Sequence, residues 1–297
     1  MKQLLTPHQV AKAIGVSESS LKRWCDKGML ATQRTAGGHR RLTIEAVLEF
    51  MRESGHEMAQ PELIGLPAAV GKGTVVVERA SEMLREALIA GDEGVARRTI
   101  LDLFLAKQSV PVIGDRVIAP ALSHVGQCWA EGTLEVYQER RSCEIVSRVL
   151  HEWRGLIATP SAQAPRAIGG TVEADPYVLP TSLCELTLRE LGWQAESYGT
   201  RLPFATLIAA VRDVRPRLCW LSVSYIADEA EFIAKFAELF DATQACGTAL
   251  AVGGTALHEP LRCQLRYSAF CDQLAHLAAF ATSLTSTSSN DSGQVNP

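Results

Sequence analysis

Between positions 17 and 27 the chain gathers three serines, Ser17, Ser19 and Ser20, with the cations Lys22, Arg23 and Lys27. Placed on a helix, Ser19, Ser20 and the cations lie off the face marked by Leu21 and Trp24. Hydroxyls both donate and accept, while Lys and Arg only donate and carry charge. Such a set can grip phosphate oxygens and reach base edges in a major groove. A second set follows in Gly37, Gly38, His39, Arg40 and Arg41. Two glycines permit a tight turn, and a thin basic projection can approach a backbone or a minor groove closely. The same residues also suit a solvated basic face on a small helical domain, so the elements that carry them must decide.

Those elements are well signalled. Thr6-Pro7-His8-Gln9 combines an N-cap, a proline at the first helical position and a capping-box Gln, predicting a short helix that runs to Gly15. Ser17 can cap the next helix, with Leu21, Trp24 and Cys25 inward and Gly28 placed to end it. The Gly-Gly turn predicts a hairpin, and Thr43 begins a helix with Val47, Leu48, Phe50 and Met51 on its apolar face. Arg40→Ala or Arg41→Ala is then expected to weaken nucleic-acid affinity and lower its salt dependence.

Charge separates this segment from the rest. Residues 1–56 hold nine Lys and Arg against five Asp and Glu, a balance of +4, which leaves −8 for the remainder of a chain whose net charge is −4. Only the N-terminal segment suits a polyanion. Eight cysteines occur without a Cys-x-x-Cys pair, so neither a zinc knuckle nor a redox dithiol is signalled, and reduced thiols are expected. No apolar run approaches a membrane span, and MKQLLTPHQV has no hydrophobic signal core, so the expected location is the cytoplasm, with no membrane partner.

Beyond the headpiece (1–56), Gly and Pro without periodicity mark a linker at 57–74. Helical periodicity over 75–158, with breaks near Gly91, Pro111 and Gly132, predicts a four-helix bundle. A second linker at 159–166 precedes strands at 167–172, 194–198, 218–223 and 248–252 that alternate with helices, the pattern of an open parallel α/β sheet over 167–284. The Ser/Thr/Asn-rich tail, 285–297, reads as disordered. The fold class is thus multidomain α plus α/β: a winged helix-turn-helix, a helical-bundle cap and a doubly wound, Rossmann-like domain.

In order and spacing, Leu5 to Met51 resembles the MerR family of regulators: Gly15-Val16-Ser17, the Leu21-Lys22-Arg23-Trp24 helix, Gly28 before Leu30, and the wing Thr35 to Leu42. The resemblance implies a homo-oligomer on palindromic operator DNA. The long dimerising helix of many MerR headpieces is not visible after Glu57, so self-association is expected from the later domains.

The remainder resembles cobalamin-dependent, light-responsive repressors of that family. Gly170-Thr171, Leu191-Gly192-Trp193, Ser222-Val223-Ser224 and Gly253-Gly254 follow the order of the cobalamin-binding α/β domain, and Pro120 through Trp129 to Glu139 that of its helical cap. The resemblance implies that the glycines admit a bulky ligand tail, which Ser222 and Ser224 face at the carboxyl edge of the sheet. Ordinary turn glycines of an α/β domain are the plainer reading.

Two ligand positions depart from the pattern. The lower axial His of an Asp-x-His-x-x-Gly loop is replaced in Asp175-Pro176-Tyr177-Val178-Leu179-Pro180, and the cap's Glu-His, which follows a Trp, becomes Glu139-Arg140 after Trp129. Neutral Tyr is a poor cobalt ligand, and protonated Arg cannot coordinate. Three occupancies stay compatible: cobalamin carrying its own base, heme on Tyr177, His124 or a Cys, and an empty pocket. The functions weighed are a sequence-specific transcriptional regulator, a corrinoid module of an enzyme system, and a partner-controlled regulator. The headpiece favours a regulator without catalytic residues.

Overall fold

Helix α1 (Pro7–Ile14) begins with a reciprocal cap: Thr6 Oγ1 accepts from the Gln9 N–H at 3.2 Å, and Gln9 Oε1 accepts from the Thr6 N–H at 2.9 Å. It ends at Gly15, whose φ of 82° and proximity to Ala59 leave no room for a side chain. Helix α2 (Glu18–Asp26) follows. The wing strands are β2 (Gln33–Arg34) and β3 (Arg40–Thr43), closed where the Thr35 N–H donates to the His39 carbonyl at 2.9 Å. Strand β1 (Leu4–Leu5) adds to β3, giving an antiparallel sheet of order β1-β3-β2. Two residues carry no readable alternation, so β1 leaves no signal in the sequence. Thr43 Oγ1 accepts from the Ala46 N–H at 3.3 Å and starts α3 (Ile44–Ser54).

The computed structural model describes residues 4–35, 37–54, 56, 58–66 and 77–290. The expected linker 57–74 lies partly outside them, at 57 and 67–74, and its described part is not a free tether. The Ala59 and Gln60 N–H groups both donate to the Ala13 carbonyl at 2.9 Å, and a 3-10 turn at Pro61–Ile64 buries Ile64, flanked by buried Met58 and Leu66. A single turn needs no periodicity, which is why this segment read as a linker.

Two units divide the described chain: Met1–Ser109 with Arg116–Ala158, and Val110–Asp115 with Thr159 onward. In the first, α4 (Val77–Ala90), α5 (Glu93–Leu105), α7 (Ala119–Ala130) and α8 (Val136–Leu156) form the bundle, with Trp153 buried edge-on against Phe104 at 5.4 Å. The headpiece packs on this bundle rather than standing apart from it. The Arg52 guanidinium lies 4.0 Å above the Phe104 ring, and Arg97 donates to the Gly65 carbonyl at 3.3 Å.

The second unit takes α6 (Val110–Ile113) out of the expected cap. Glu190 accepts from the Val110 N–H at 2.7 Å, and the Asp115 carboxylate accepts from the Leu274 and Ala275 N–H groups at 2.9 and 3.0 Å. A π-helical turn at Gly114–Ile118 leads into α7.

Five parallel strands make the core of this unit: β4 (Arg166–Thr171), β5 (Gln194–Ser197), β6 (Leu218–Ser222), β7 (Ala249–Gly253) and β8 (Ala269–Phe270), in the order β5-β4-β6-β7-β8. The helices between and after them are α9 (Val178–Glu190), α10 (Phe204–Val214), α11 (Glu229–Ala245), α12 (Glu259–Arg262) and α13 (Leu274–Asn290). Alternate residues face α10 and α11, with Cys219 and Leu221 against Phe232 and Phe236, or face α9 and α13, with Ala167 and Trp220 against Leu188 and Leu277. Chain order reverses between β4 and β6, so their carboxyl ends form the switch point at which α/β sheets hold ligands.

The expected disordered tail is corrected as far as Asn290, where α13 ends; residues 291–297 lie outside the described ones. Buried Leu277 and Ala281 anchor the helix, and Thr282 and Ser286 turn their hydroxyls back onto the carbonyls four residues earlier. Among the described residues no helix is long and apolar enough to cross a membrane.

Candidate nucleic-acid interface and sensor edge

The headpiece presents Ser19, Lys22, Arg23 and Lys27 on the exposed side of α2, whose buried side is held by Leu21. Ser17 is spent as the N-cap: its Oγ accepts from the Ser20 N–H at 3.1 Å and lies 2.9 Å from both the Ser19 and Ser20 hydroxyls. Lys22 pairs with Glu18 at 3.0 Å, which holds the Glu18 carboxyl below its usual range. Trp24 packs tilted against Phe50, ring centroids 4.8 Å apart, and so docks α2 on α3.

At the wing, Gly37, Gly38 and His39 are exposed, and Gly38 turns with φ of 77°. Arg41 donates to the Arg40 carbonyl at 3.1 Å. Arg40, expected among the DNA contacts, is engaged within the headpiece. Its Nη2 donates to Asp26 Oδ1 at 2.6 Å and its Nη1 to the Lys22 carbonyl at 3.3 Å, with the side chain only 22% exposed. It ties the wing to α2 instead of standing free for a phosphate. Asp26 escaped the sequence reading because pairing across 14 positions leaves no local signal.

At the switch point in the second unit, Asp175 is fully buried and acts as a knot. Its Oδ1 accepts from the Tyr177 N–H at 2.9 Å, and its Oδ2 from the Ser224 and Tyr225 N–H groups at 2.6 and 3.3 Å. The loops after β4 and β6 are thereby joined, and two half-exposed tyrosines, Tyr177 and Tyr225, flank the join. Tyr225 was not singled out from sequence; only this shared carboxylate reveals it. Ser222 pairs in register with Thr171 on one side and Gly253 on the other. A Cβ on Gly253 would collide with the Cys271 carbonyl, and one on Gly254, at φ of 124°, with the Val223 backbone. These glycines are thus required by the chain's own close packing.

In the cap, Trp129 is 49% exposed beside exposed Val136 and Tyr137 at the α7–α8 turn. Glu139 accepts from the Cys143 thiol at 3.2 Å and lies 3.6 Å from Arg140, which is solvent-directed. Burial, aided by Glu139, pushes the Cys143 thiol up to about 12. His124 Nε2 lies 3.4 Å from Cys128 Sγ on the same helix. Among the described residues no group of three or more His, Cys, Asp or Glu is gathered for a metal ion.

These donors do not fit a cobalt ion ligated by the protein. Both Asp175 oxygens are engaged by backbone, Tyr177 offers a phenol and Arg140 a cation, and neither place holds an imidazole.

The chain matches the model of a helix-turn-helix domain over residues 4–55 and that of a B12 binding domain over residues 80–152, the span from α4 to α8. It is 27% identical over 282 residues to the HTH-type transcriptional repressor CarH of Myxococcus xanthus, covering 89% of this chain and 91% of that one. The Methanosarcina barkeri monomethylamine corrinoid protein has a similar fold, with a TM-score of 0.60 at 14% identity, over 70% of this chain and all of that one. The chain is therefore a helix-turn-helix protein with a B12-binding-type module, homologous to a CarH transcriptional repressor along most of its length.

Proposed function

We propose that this protein is a cytoplasmic transcriptional repressor that holds operator DNA through α2 and the β2–β3 wing, as a homo-oligomer assembled by its B12-type half. The observation that carries the reading is the headpiece surface. Ser19, Lys22, Arg23 and Lys27 on α2 and Gly37 to His39 on the wing are exposed, while Leu21, Trp24 and Arg40 hold the two elements in place. Phosphate contacts from such cations give affinity and register, and base-edge contacts from hydroxyls and amines give sequence preference.

The sensor reading follows from the donor set. A corrinoid carrying its own axial base, or a partner protein acting on an unliganded domain, suits Tyr177 and Arg140; a histidine-ligated light switch does not. The corrinoid module of an enzyme system is the second reading, favoured by the fold likeness alone.

Selection of duplexes from a random library by the full-length protein tests the reading, followed by anisotropy titrations over a range of salt and gel filtration. Recovery of a palindromic consensus, a steep salt slope and a multimeric elution volume are expected. Retention of no duplex above background overturns it.

A further inference from the structure

On the α9-facing side of the sheet, the row at the carboxyl edge is Thr171, Ser222 and Gly253. Two residues deeper lies the row Ser197, Gly169, Trp220 and Ala251. Side chains on one face recur every second residue, so whatever reaches past Ser222 from the edge meets this deeper row next. Three of its members are small, so without the fourth the row would leave a trench on this face of the sheet. The fourth is an indole, 1% exposed.

Trp220 fills the trench floor. A Cβ on Gly169 would collide with Cδ2 and Cε2 of the ring, so the indole leans across the neighbouring strand β4 where only glycine leaves it room. Its Nε1 donates to Thr181 Oγ1 on α9 at 3.0 Å, and that hydroxyl lies 3.2 Å from Ser197 Oγ on β5. One buried donor and two hydroxyls thus tie β6, α9 and β5 together, and the ring leaves no polar atom unpaired.

We propose that Trp220 is a built-in occupant of the space that an inserted cobalamin nucleotide tail requires. The domain is closed by its own side chain, and any corrinoid it takes is held with the nucleotide outside the sheet. This rests on the B12-type reading of the module, and it replaces the expectation that strand-end serines and glycines receive a tail.

The test compares methylcobalamin with methylcobinamide, which lacks the nucleotide, by titration of the full-length protein, desalting and absorption spectroscopy. The wild type is expected to retain the two alike, within about threefold, with any bound methylcobalamin keeping its base-on spectrum. Where neither is retained, the comparison passes to Trp220→Gly and, should that not fold, to Trp220→Ala. Preferential retention of methylcobalamin in base-off form overturns the proposal. Trp220→Gly, checked for folding by circular dichroism, opens the trench and is expected to gain about tenfold for methylcobalamin over methylcobinamide. A folded variant without that gain also overturns it, and if the variant does not fold, the wild-type comparison still decides wherever either corrinoid is retained. Operator binding measured on the same preparation separates failure of the repressor reading from failure of this one.

Discussion

Arg40 on the wing strand and Asp26 at the end of α2 share a 2.6 Å hydrogen bond from Nη2 to Oδ1, reinforced by Arg40 Nη1 on the Lys22 carbonyl. The carboxylate raises the Arg40 pKa further above its ordinary value. The guanidinium therefore spends two of its donors on α2, which fixes the wing against that helix.

Arg40→Ala and Asp26→Ala should each weaken operator binding by letting the wing drift, and the double variant should be little worse than either single one. Because the Arg40 charge is already paired, its loss should leave the salt slope close to wild type. Arg23→Ala or Lys27→Ala should instead lower that slope by about one. Anisotropy titrations at several salt concentrations check both; a large fall in slope for Arg40→Ala would return that residue to the phosphate contacts.

Asp175→Ala removes the acceptor of three backbone N–H groups, among them that of half-buried Ser224. A loss of about 1–3 kcal/mol is expected, read as a lower denaturant midpoint with helix-turn-helix function retained. Asp175→Asn keeps one acceptor oxygen and should recover part of the loss.

Gly253→Ala and Gly254→Ala force a methyl into backbone and should destabilise by about 1–3 kcal/mol, with or without any corrinoid. Gly126→Ala is the control: its Cβ meets nothing within 4 Å, on helix α7. That substitution should stabilise by about 0.5–1 kcal/mol. Chemical denaturation of the three variants checks the contrast.

Burial pushes the Cys184 and Cys219 thiols up to about 12, as it does Cys143. At pH 8 only a very small fraction of each is thiolate. Iodoacetamide at that pH should spare all three, while exposed Cys263 is labelled. Peptide mass mapping reads the outcome, and reactivity of the three should rise as pH is raised, because the thiolate is the nucleophile.

Much of the headpiece was legible because its signals are local. Thr6 with Gln9, Ser17 ahead of α2, and Gly38 at the wing turn each act within four residues, and the elements they predict are the ones that form. The same holds for strands such as 218–222, whose apolar run is fully buried in a parallel sheet. β1, β8 and the 3-10 turn at Pro61–Ile64 are too short to show a period, and α6 left its expected bundle because Glu190 and Asp115 act over long separations.

The sequence by itself determined where most helices and strands start, which segment is basic, and that positions 140 and 177 carry Arg and Tyr rather than imidazole, since these depend on residue type and near neighbours. Only the tertiary structure decided what those residues do. It tied Arg40 to Asp26, packed Gly253 and Gly254 against neighbouring backbone, and bonded the Trp220 indole to Thr181 on α9. Each depends on which atoms meet across a fold, at separations of 14 to 39 residues for the hydrogen bonds involved, and such pairings are set by packing and register rather than by local propensity.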